Sequence, residues 1–397
     1  MKFPTMAIHV GQEPDPTTGA VIPPIYQNST YAYMGIGENK GYQYGRSENP
    51  NRNALETCIA ALENAHYGLA FASGVAAAQA VLSLLNPSDH IVSCGDLYGG
   101  TYCLFEHVMQ PHKIETSYVM TNAVTDYEKA IRPNTKLIWL ETLTNPLLRL
   151  VDIQAIAELA HRHKILVVVD NTFSTPYFQR PLDLGADIVV HSTTKYINGH
   201  SDVIGGMVVM NDAEIYQKIR FYQTAAGAIP GPFDSWLTLR GVKTLALRMR
   251  QHAENASAIA HFLSKHPLVE KTYYPGLVSH PDYKLATKQM NGFGGMVSFQ
   301  LKGTVDDVDK VVRRFKLFTF AYSLGGVESL VSHPASMSHK GIPSEIREAY
   351  GLTDTLLRLS VGIEDIEDLL IDLDQALAYP HMGQVNHLLS LSDVMSF

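Results

Sequence analysis

The sequence predicts an α/β fold in which helices cover a mostly parallel sheet, followed by a smaller α+β C-terminal domain. Short apolar runs such as KLIWLE, ILVVVD and DIVVHS alternate with helical patterns such as DIQAIAELAHRHK. Strands that are apolar throughout are buried on both faces, which is typical of a parallel sheet between helices. After about residue 250 the pattern changes to a long helix and the strand-like run GGMVSFQLKG, which predicts the second domain.

We divide the chain into three segments on these patterns. Residues 1–51 are rich in Pro, Gly, Asn and Tyr and have no clean period, which is typical of an extended arm. Helical patterning begins near Arg52, so residues 52–250 are predicted to form the large domain and residues 251–397 the C-terminal domain. No interpretation follows for the residues after Pro380.

The composition is that of an ordinary globular protein, with 46% apolar and 18% charged residues and a net charge of −8. There is no basic run, so we expect no nucleic-acid partner. The three cysteines, Cys58, Cys94 and Cys103, are too few and too scattered for a disulfide framework. The start lacks an apolar signal core and no apolar run approaches the roughly 20 residues of a membrane span, so we expect a cytoplasmic protein without membrane contact.

Polar residues follow three consecutive apolar strands of the predicted sheet. Glu141 to Asn145 follow KLIWL, Asp170 to Thr172 follow ILVVV, and Ser192 to Lys195 lie at the end of DIVVHS and just beyond it. In an open α/β sheet, ligands bind beyond the carboxyl ends of the strands. These residues are therefore expected to share one crevice.

Two residues of this crevice each allow two interpretations. Asp170 is either a turn or helix-capping residue, or a carboxylate paired with the ring nitrogen of a cofactor. Lys195 is either a solvated charge or, after a β-rich run and among hydroxyls, a partly desolvated amine available for imine formation. The S-x-x-K pattern at Ser192 would also fit a penicillin-recognising serine hydrolase, but its S-D-N and K-T-G partners are absent.

Three further positions are candidates for ligand contacts. Ser73-Gly74-Val75 opens a helical pattern and could bind phosphate with free N–H groups, although a simple helix cap explains it equally well. Tyr98 could lay its ring over a planar cofactor or stand in a simple turn. Arg358 lies in an apolar strand-like run and needs a carboxylate partner. No metal site is predicted, and dinucleotide and nucleoside-triphosphate fingerprints are missing.

Together these residues resemble the transsulfuration family of pyridoxal-phosphate enzymes, from about His9 to Ala378. The resemblance implies an aspartate-aminotransferase-like fold of type I. It rests on these motifs: Tyr44-Gly45-Arg46-Ser47 with Asn49-Pro50, Ala72-Ser73-Gly74, Leu97-Tyr98-Gly99-Gly100-Thr101, Glu141-Thr142-Leu143-Thr144-Asn145-Pro146, Val169-Asp170-Asn171-Thr172-Phe173, Ser192-Thr193-Thr194-Lys195-Tyr196, Gly199-His200-Ser201-Asp202, Tyr274-Pro275-Gly276-Leu277, Ser323-Leu324-Gly325-Gly326, Glu328-Ser329 and Leu357-Arg358-Leu359-Ser360-Val361-Gly362.

The resemblance also implies roles for individual residues. Lys195 would carry pyridoxal 5′-phosphate as a Schiff base and shuttle protons, Asp170 would pair with the ring nitrogen, and Tyr98 would stack on the ring and assist catalysis. The remaining cofactor-binding residues would be Ser73, Gly74, Val75, Thr172, Ser192 and Thr194, with Tyr44 and Arg46 reaching the phosphate of a neighbouring subunit. The substrate-binding residues would be Arg358, Ser329, Asn145 and Glu328. The assembly would be a homotetramer, a dimer of dimers with shared sites.

The activity implied is that of a carbon–sulfur lyase of the cystathionine γ-lyase type, acting on a sulfur amino acid. Methionine γ-lyase, cystathionine γ-synthase and cystathionine β-lyase remain as alternatives, as does a non-enzymatic, cofactor-binding regulatory protein. Gln43 and Cys103 stand where γ-lyases and γ-synthases usually carry an acidic residue and an arginine, which favours a smaller substrate such as methionine or homocysteine. Gly100, however, stands where methionine γ-lyases have cysteine.

Overall fold

The computed structural model describes residues 1–378, and within them two sheets dominate the fold. The larger has seven strands in the order β1-β7-β6-β5-β4-β2-β3, and the smaller has five in the order β10-β11-β12-β9-β8. The strands are β1 Tyr67–Phe71, β2 His90–Cys94, β3 Glu115–Val119, β4 Thr135–Glu141, β5 Leu166–Asp170, β6 Ile188–Ser192, β7 Gly206–Met210, β8 Val269–Tyr273, β9 Met296–Leu301, β10 Thr319–Phe320, β11 Leu330–Ser332 and β12 Leu356–Ser360.

Helices surround both sheets. The α-helices are α1 Phe3–His9, α2 Pro50–Leu62, α3 Gly74–Leu82, α4 Gly99–Cys103, α5 Val124–Ala130, α6 Ile153–Arg162, α7 Thr175–Phe178, α8 Ala213–Ala226, α9 Pro232–Val242, α10 Leu245–Lys265, α11 Tyr283–Gln289, α12 Val305–Val312, α13 Ser344–Tyr350 and α14 Ile366–Leu377. A π-helix, Leu104–Met109, continues α4, and short 3₁₀ helices span Gln110–His112 and Pro181–Leu184. No helix in residues 1–378 is long and apolar enough to cross a membrane.

The large sheet confirms the predicted parallel architecture. Its pairs β2–β3, β2–β4, β4–β5 and β5–β6 are parallel, whereas β7 is antiparallel to both β6 and β1. The strand β5 shows why its sequence is apolar throughout. Val168 packs in one core cluster, whereas Val167 and Val169 pack in another with α6. Burying each of these side chains stabilises the fold by roughly 1.5–3 kcal/mol. The residues on both faces of β5 therefore favour a position inside the sheet with both faces covered.

The helix α6 covers the sheet because its sequence is amphipathic. Asp152 caps its start, since the side chain accepts a hydrogen bond from the Ala155 N–H. Ile153, Ile156 and Leu159 are buried with the core cluster that holds Val167. Because α6 packs on a face of the sheet, it does not cover the carboxyl ends of β4, β5 and β6, which stay open on one edge.

The smaller sheet is mostly antiparallel and packs against α10 and α14 around its own core cluster. The predicted boundary at residues 250 and 251 falls within α10, and residues 10–49 contain no α-helix or long strand. The division into an arm and two domains therefore stays a prediction. The part of the C-terminal domain beyond residue 378 lies outside the described residues.

Candidate active site

A cavity of about 860 Å³ lies at the carboxyl ends of β4, β5 and β6, where the two sheets meet. Residues of both sheets form its wall. Twelve of the predicted site residues line it: Ser73, Gly74, Val75, Tyr98, Asn145, Asp170, Thr172, Ser192, Thr194, Lys195, Glu328 and Arg358. The structure thus brings together side chains that are up to 285 positions apart in the chain.

Lys195 lies in the turn after β6, and its Nζ donates a hydrogen bond to the Ser323 Oγ at 2.7 Å. Burial, and secondarily the nearby Arg358 guanidinium, lower the pKa of the Lys195 amine to about 8. About a tenth of the amine is therefore unprotonated at pH 7, far more than for an ordinary lysine, as a nucleophile or base requires. Ser323 lies in a motif of the sequence, but nothing there indicated that it would meet Lys195.

Asp170 ends β5 and faces the cavity with its carboxyl group. One oxygen accepts a hydrogen bond from the Thr172 N–H at 3.0 Å. Burial raises the pKa of the Asp170 carboxyl, and the Thr172 hydrogen bonds and the nearby His191 oppose this rise. A carboxylate in such surroundings is stabilised by a cationic partner in the cavity. A protonated ring nitrogen would be such a partner.

The start of α3 meets the end of β6 at one end of the cavity. The Ser73 side chain caps α3 by accepting a hydrogen bond from the Ala76 N–H at 3.1 Å. A Cβ added at Gly74 would lie 2.8 Å from the Ser192 Cβ, so only glycine allows this approach. The Ser192 N–H in turn donates to the Thr172 Oγ1 at 2.9 Å. Hydroxyls and a helix N-terminus therefore converge as a phosphate site requires.

Tyr98 immediately precedes α4, and its backbone N–H donates to the Glu141 Oε2 at 2.8 Å. Its side chain is 41% exposed and lines the cavity. Burial and then the Glu141 carboxyl raise the pKa of the Tyr98 phenol, so it is a proton donor rather than a phenolate. Burial and the proximity of Asp170 raise the pKa of Glu141 well above its ordinary value. Glu141 was expected only as a polar strand end, because its contact with Tyr98 is tertiary.

Arg358, in the middle of β12, is the cation that faces the cavity from the smaller sheet. Its guanidinium donates to the Asn145 Oδ1 at 2.7 Å and to the Ser323 carbonyl at 3.2 Å. Burial lowers the pKa of Arg358 to about 10, so it stays charged at neutral pH. The buried Nε has no hydrogen-bond partner among the described residues. This arginine therefore suits a substrate carboxylate.

His339 is a further residue whose role the sequence did not indicate. It is fully buried, and its Nε2 lies 2.9 Å from the Asn145 carbonyl oxygen. Burial lowers the pKa of His339 to about 4, so the imidazole is neutral. We infer that it holds the main chain of Asn145 and so orients the amide that contacts Arg358.

The other two substrate-binding candidates take different positions. Glu328 lines the cavity and accepts a hydrogen bond from the Ser201 hydroxyl. Ser329 is fully buried outside the cavity wall: its hydroxyl donates to Glu364 at 2.9 Å and accepts from the Gly362 N–H at 2.8 Å. Ser329 is thus placed to orient the turn after β12 rather than to touch a ligand within this chain.

Tyr44 and Arg46 do not line the cavity of their own chain. Both are exposed, and the Arg46 guanidinium lies over the Tyr44 ring at 5.7 Å and donates to the Thr224 carbonyl. Their predicted contact with a neighbouring subunit stays a prediction, since only one chain is described.

The residues present fit pyridoxal 5′-phosphate. Lys195 offers an amine with a lowered pKa, and Asp170 offers a carboxyl group for the ring nitrogen. The close approach of Gly74 to Ser192 brings the start of α3 beside the Ser192 hydroxyl, as a phosphate site requires. Among residues 1–378, no three His, Cys, Asp or Glu side chains are grouped as a metal ion would require.

Comparisons with known proteins agree with this geometry. The chain is 52% identical to a cystathionine gamma-lyase of Bacillus subtilis, over 95% of this chain and 99% of that protein. It is also 52% identical to a cystathionine beta-lyase of Coxiella burnetii, over 94% and 97%. A crystal structure of cystathionine gamma-lyase from Lactobacillus plantarum, complexed with L-serine, matches with a TM-score of 0.92 and 48% identity, over 95% and 99%. Residues 4–378 match the model of the Cys/Met metabolism PLP-dependent enzymes. The chain belongs to this family of pyridoxal-phosphate-dependent enzymes.

Proposed function

We propose that the protein is a carbon–sulfur lyase of the cystathionine γ-lyase type, which converts cystathionine to cysteine, 2-oxobutanoate and ammonia. One arrangement carries the proposal: Ser323 contacts both Lys195 and Arg358, so the amine and the carboxylate-binding cation lie side by side. The names of relatives that are about half identical to this chain support the reaction class.

In this proposal Arg358 binds the α-carboxylate of the amino acid. Its guanidinium is already oriented by Asn145 and lines the cavity, so its charge and remaining N–H groups are available to the carboxylate. Charge-assisted hydrogen bonds of this kind fix both the position and the orientation of a carboxylate. The Cα–H bond is then held near Lys195.

Proton transfer follows from the pKa values of the lining residues. Pyridoxal phosphate, when bound, withdraws electrons from the substrate Cα, and Asp170 supports this by holding a proton on the ring nitrogen. Lys195, with a pKa of about 8, takes the Cα proton and returns it to a neighbouring carbon. For γ-elimination a second proton must leave Cβ before the sulfur departs from Cγ.

Departure of the sulfur requires a proton donor on the same side of the cavity. Tyr98 carries a phenol whose raised pKa keeps its proton, and its backbone is fixed by the Glu141 carboxyl. It is therefore suited to protonate the leaving thiolate.

β-Elimination is the second candidate, because a named cystathionine beta-lyase is as similar to this chain as the gamma-lyases are. It needs only one proton abstraction by Lys195. Methionine γ-lyase and cystathionine γ-synthase activities also remain, since Gln43 and Cys103 replace charged residues that would meet the distal end of cystathionine. A non-catalytic cofactor-binding role is disfavoured by Lys195, Tyr98 and Arg358 lining one cavity.

A substrate panel on the purified yellow protein tests the proposal. Cystathionine, methionine, homocysteine, and O-acylated homoserine with cysteine are offered in parallel, and 2-oxo acids and thiols are quantified. Cysteine with 2-oxobutanoate from cystathionine supports the proposal. Pyruvate with homocysteine indicates β-elimination instead, and thiol from methionine with little from cystathionine indicates that the two replaced charges set the specificity.

We also propose that the protein is a homotetramer in the cytoplasm, with sites shared between subunits. Apolar side chains of the arm are exposed in the single chain, including Val21 at 75% and Met34 at 69%, which favours burial against another subunit. Cys58, Cys94 and Cys103 are free thiols, which agrees with a reducing compartment.

A further inference from the structure

Glu63 and His191 form a fully buried pair behind the cofactor-binding edge of the large sheet. Glu63 is the residue that ends α2, and its Oε1 lies 2.6 Å from the His191 Nε2. Both side chains are completely inaccessible to solvent. The reaction proposed above uses neither of them, yet a buried ionisable pair costs free energy to maintain.

The pair lies next to two cofactor-binding residues in sequence and in space. The same Glu63 oxygen accepts a hydrogen bond from the Asn171 Nδ2 at 3.0 Å. Asn171 directly follows Asp170, and His191 directly precedes Ser192. One carboxyl oxygen therefore holds the ends of β5 and β6, which carry the predicted ring-nitrogen and phosphate contacts.

The hydrogen bonds indicate how the pair is charged. Glu63 Oε1 accepts a hydrogen bond from the Asn171 Nδ2, which favours a carboxylate, and a buried carboxylate requires a positively charged partner. Within residues 1–378, no lysine or arginine forms an ion pair with Glu63, so His191 is its counter-ion. The other titratable groups near Asp170 are Glu141 on β4, Tyr98 before α4 and Lys195 beyond β6, which all line the cavity.

We propose that Glu63 and His191 are positioning residues that keep Asp170 ionised opposite the ring nitrogen of pyridoxal phosphate. The imidazolium supplies a positive charge that acts on the Asp170 carboxyl, and Glu63 supplies the negative charge that holds the imidazolium in a dry site. The inference rests on the cofactor position proposed above. Its consequence is that both residues act on the electron-withdrawing strength of the ring without touching it.

The test compares His191→Gln and Glu63→Gln with the parent holoenzyme. Each substitution keeps a hydrogen-bonding side chain of similar size and removes one charge. The readout is the rate at which the Cα proton of a bound amino acid exchanges with deuterated solvent. We expect about a tenfold slower exchange in both variants, the effect of a shift of about one unit in one ionisation.

A chemical rescue separates this role from a structural one. The same proteins are reconstituted with N-methylated pyridoxal phosphate, whose ring nitrogen carries a fixed positive charge. We expect both variants and the parent then to exchange at equal rates, because protonation of the nitrogen no longer depends on Asp170. A deficit that persists with the methylated cofactor overturns the proposal, and so does parent-like exchange with the natural cofactor.

Two controls complete the design. His90→Gln removes another buried histidine of the same sheet, whose ring contacts the Thr135 and Ser117 hydroxyls at its opposite, amino-terminal edge. It should leave exchange unchanged, and a tenfold loss there would mean that any buried histidine has this effect. Asp170→Asn should slow exchange with the natural cofactor. If it does not, the proposed cofactor position fails, and with it the premise of the inference.

Discussion

The Lys195 amine and the Arg358 guanidinium are joined through a single residue, Ser323. Lys195 donates to the hydroxyl of Ser323 at 2.7 Å, and Arg358 donates to its carbonyl at 3.2 Å. Ser323 has a φ of +92°, a conformation that favours glycine, so its loop must be held by its surroundings. The Gly325 N–H donates to the Ser360 Oγ at 2.8 Å and provides part of this support. In the proposed reaction, this link sets the spacing between the amine that transfers the proton and the cation that binds the carboxylate.

Replacing Ser323 with alanine tests this link. The Lys195 amine would lose its acceptor and sample other rotamers, so we expect kcat/KM to fall about tenfold, in line with roughly 1.5 kcal/mol for a hydrogen bond to a charged group. Steady-state kinetics on cystathionine measure the change. Ser235→Ala is the matched control, since this hydroxyl donates to the Gly231 carbonyl and its residue does not line the cavity. Equal losses in both variants would contradict a specific link to Lys195.

The lowered pKa of Lys195 predicts how the cofactor-free enzyme captures pyridoxal phosphate. Only the unprotonated amine attacks an aldehyde, so the capture rate should rise about tenfold per pH unit below a pKa of about 8 and level off above it. Stopped-flow absorbance follows the capture. Arg358→Leu removes a nearby positive charge that lowers this pKa, and should move the plateau to higher pH. A rate that still rises at pH 10 in the parent enzyme would contradict the assignment.

Arg358→Lys should impair binding of the substrate carboxylate. Lysine keeps the charge but loses the fork of donors that contacts Asn145 and the ligand, so we expect kcat/KM to fall about 100-fold, or roughly 3 kcal/mol for one partner of a buried charge pair. The check compares kcat/KM of the parent enzyme and the variant on the substrate and on its α-carboxamide. The amide should be poor for the parent enzyme and no worse for the variant. A further 100-fold loss with the amide would show that Arg358 acts elsewhere.

Mixing two inactive variants tests whether Arg46 serves the neighbouring subunit. Lys195→Ala should lower the activity at least about a thousandfold, within the range of general acid–base groups. Arg46→Ala should lose its cofactor readily and therefore be inactive as well. In a mixed dimer with shared sites, one site regains an intact Lys195 from one subunit and Arg46 from the other. We expect activity to return after co-refolding, up to about one site in four. No recovery, with mixed dimers confirmed by mass, would contradict shared sites.

The sequence could predict the parts of the site that follow strands. Asp170 and Lys195 come directly after apolar runs, and the structure places both in one cavity because parallel strands end at the same edge. Arg358 was recognisable because a charge inside an apolar strand needs a partner. The strands β1 and β3 were not predicted, because YGLAF contains glycine and ETSYV is a polar edge strand.

Contacts between residues that are far apart in the chain could not be predicted from local sequence patterns. Ser323, Glu141 and His339 each act on a residue far away in the chain, and no spacing rule relates them to Lys195, Tyr98 or Asn145. Ser329 shows the reverse. The resemblance implies a ligand contact, which stays a prediction, whereas in this chain the Ser329 hydroxyl is bonded to Glu364 and the Gly362 N–H.

Trapping the cofactor on its lysine tests the account most directly. The yellow holoenzyme is treated with borohydride, which reduces a Schiff base to a stable amine, and is then digested and analysed by peptide mass spectrometry. The account predicts that the cofactor mass is found on the peptide containing Lys195, and that Lys195→Ala carries none. A label on another lysine such as Lys243, or equal labelling of the Lys195→Ala protein, would contradict it.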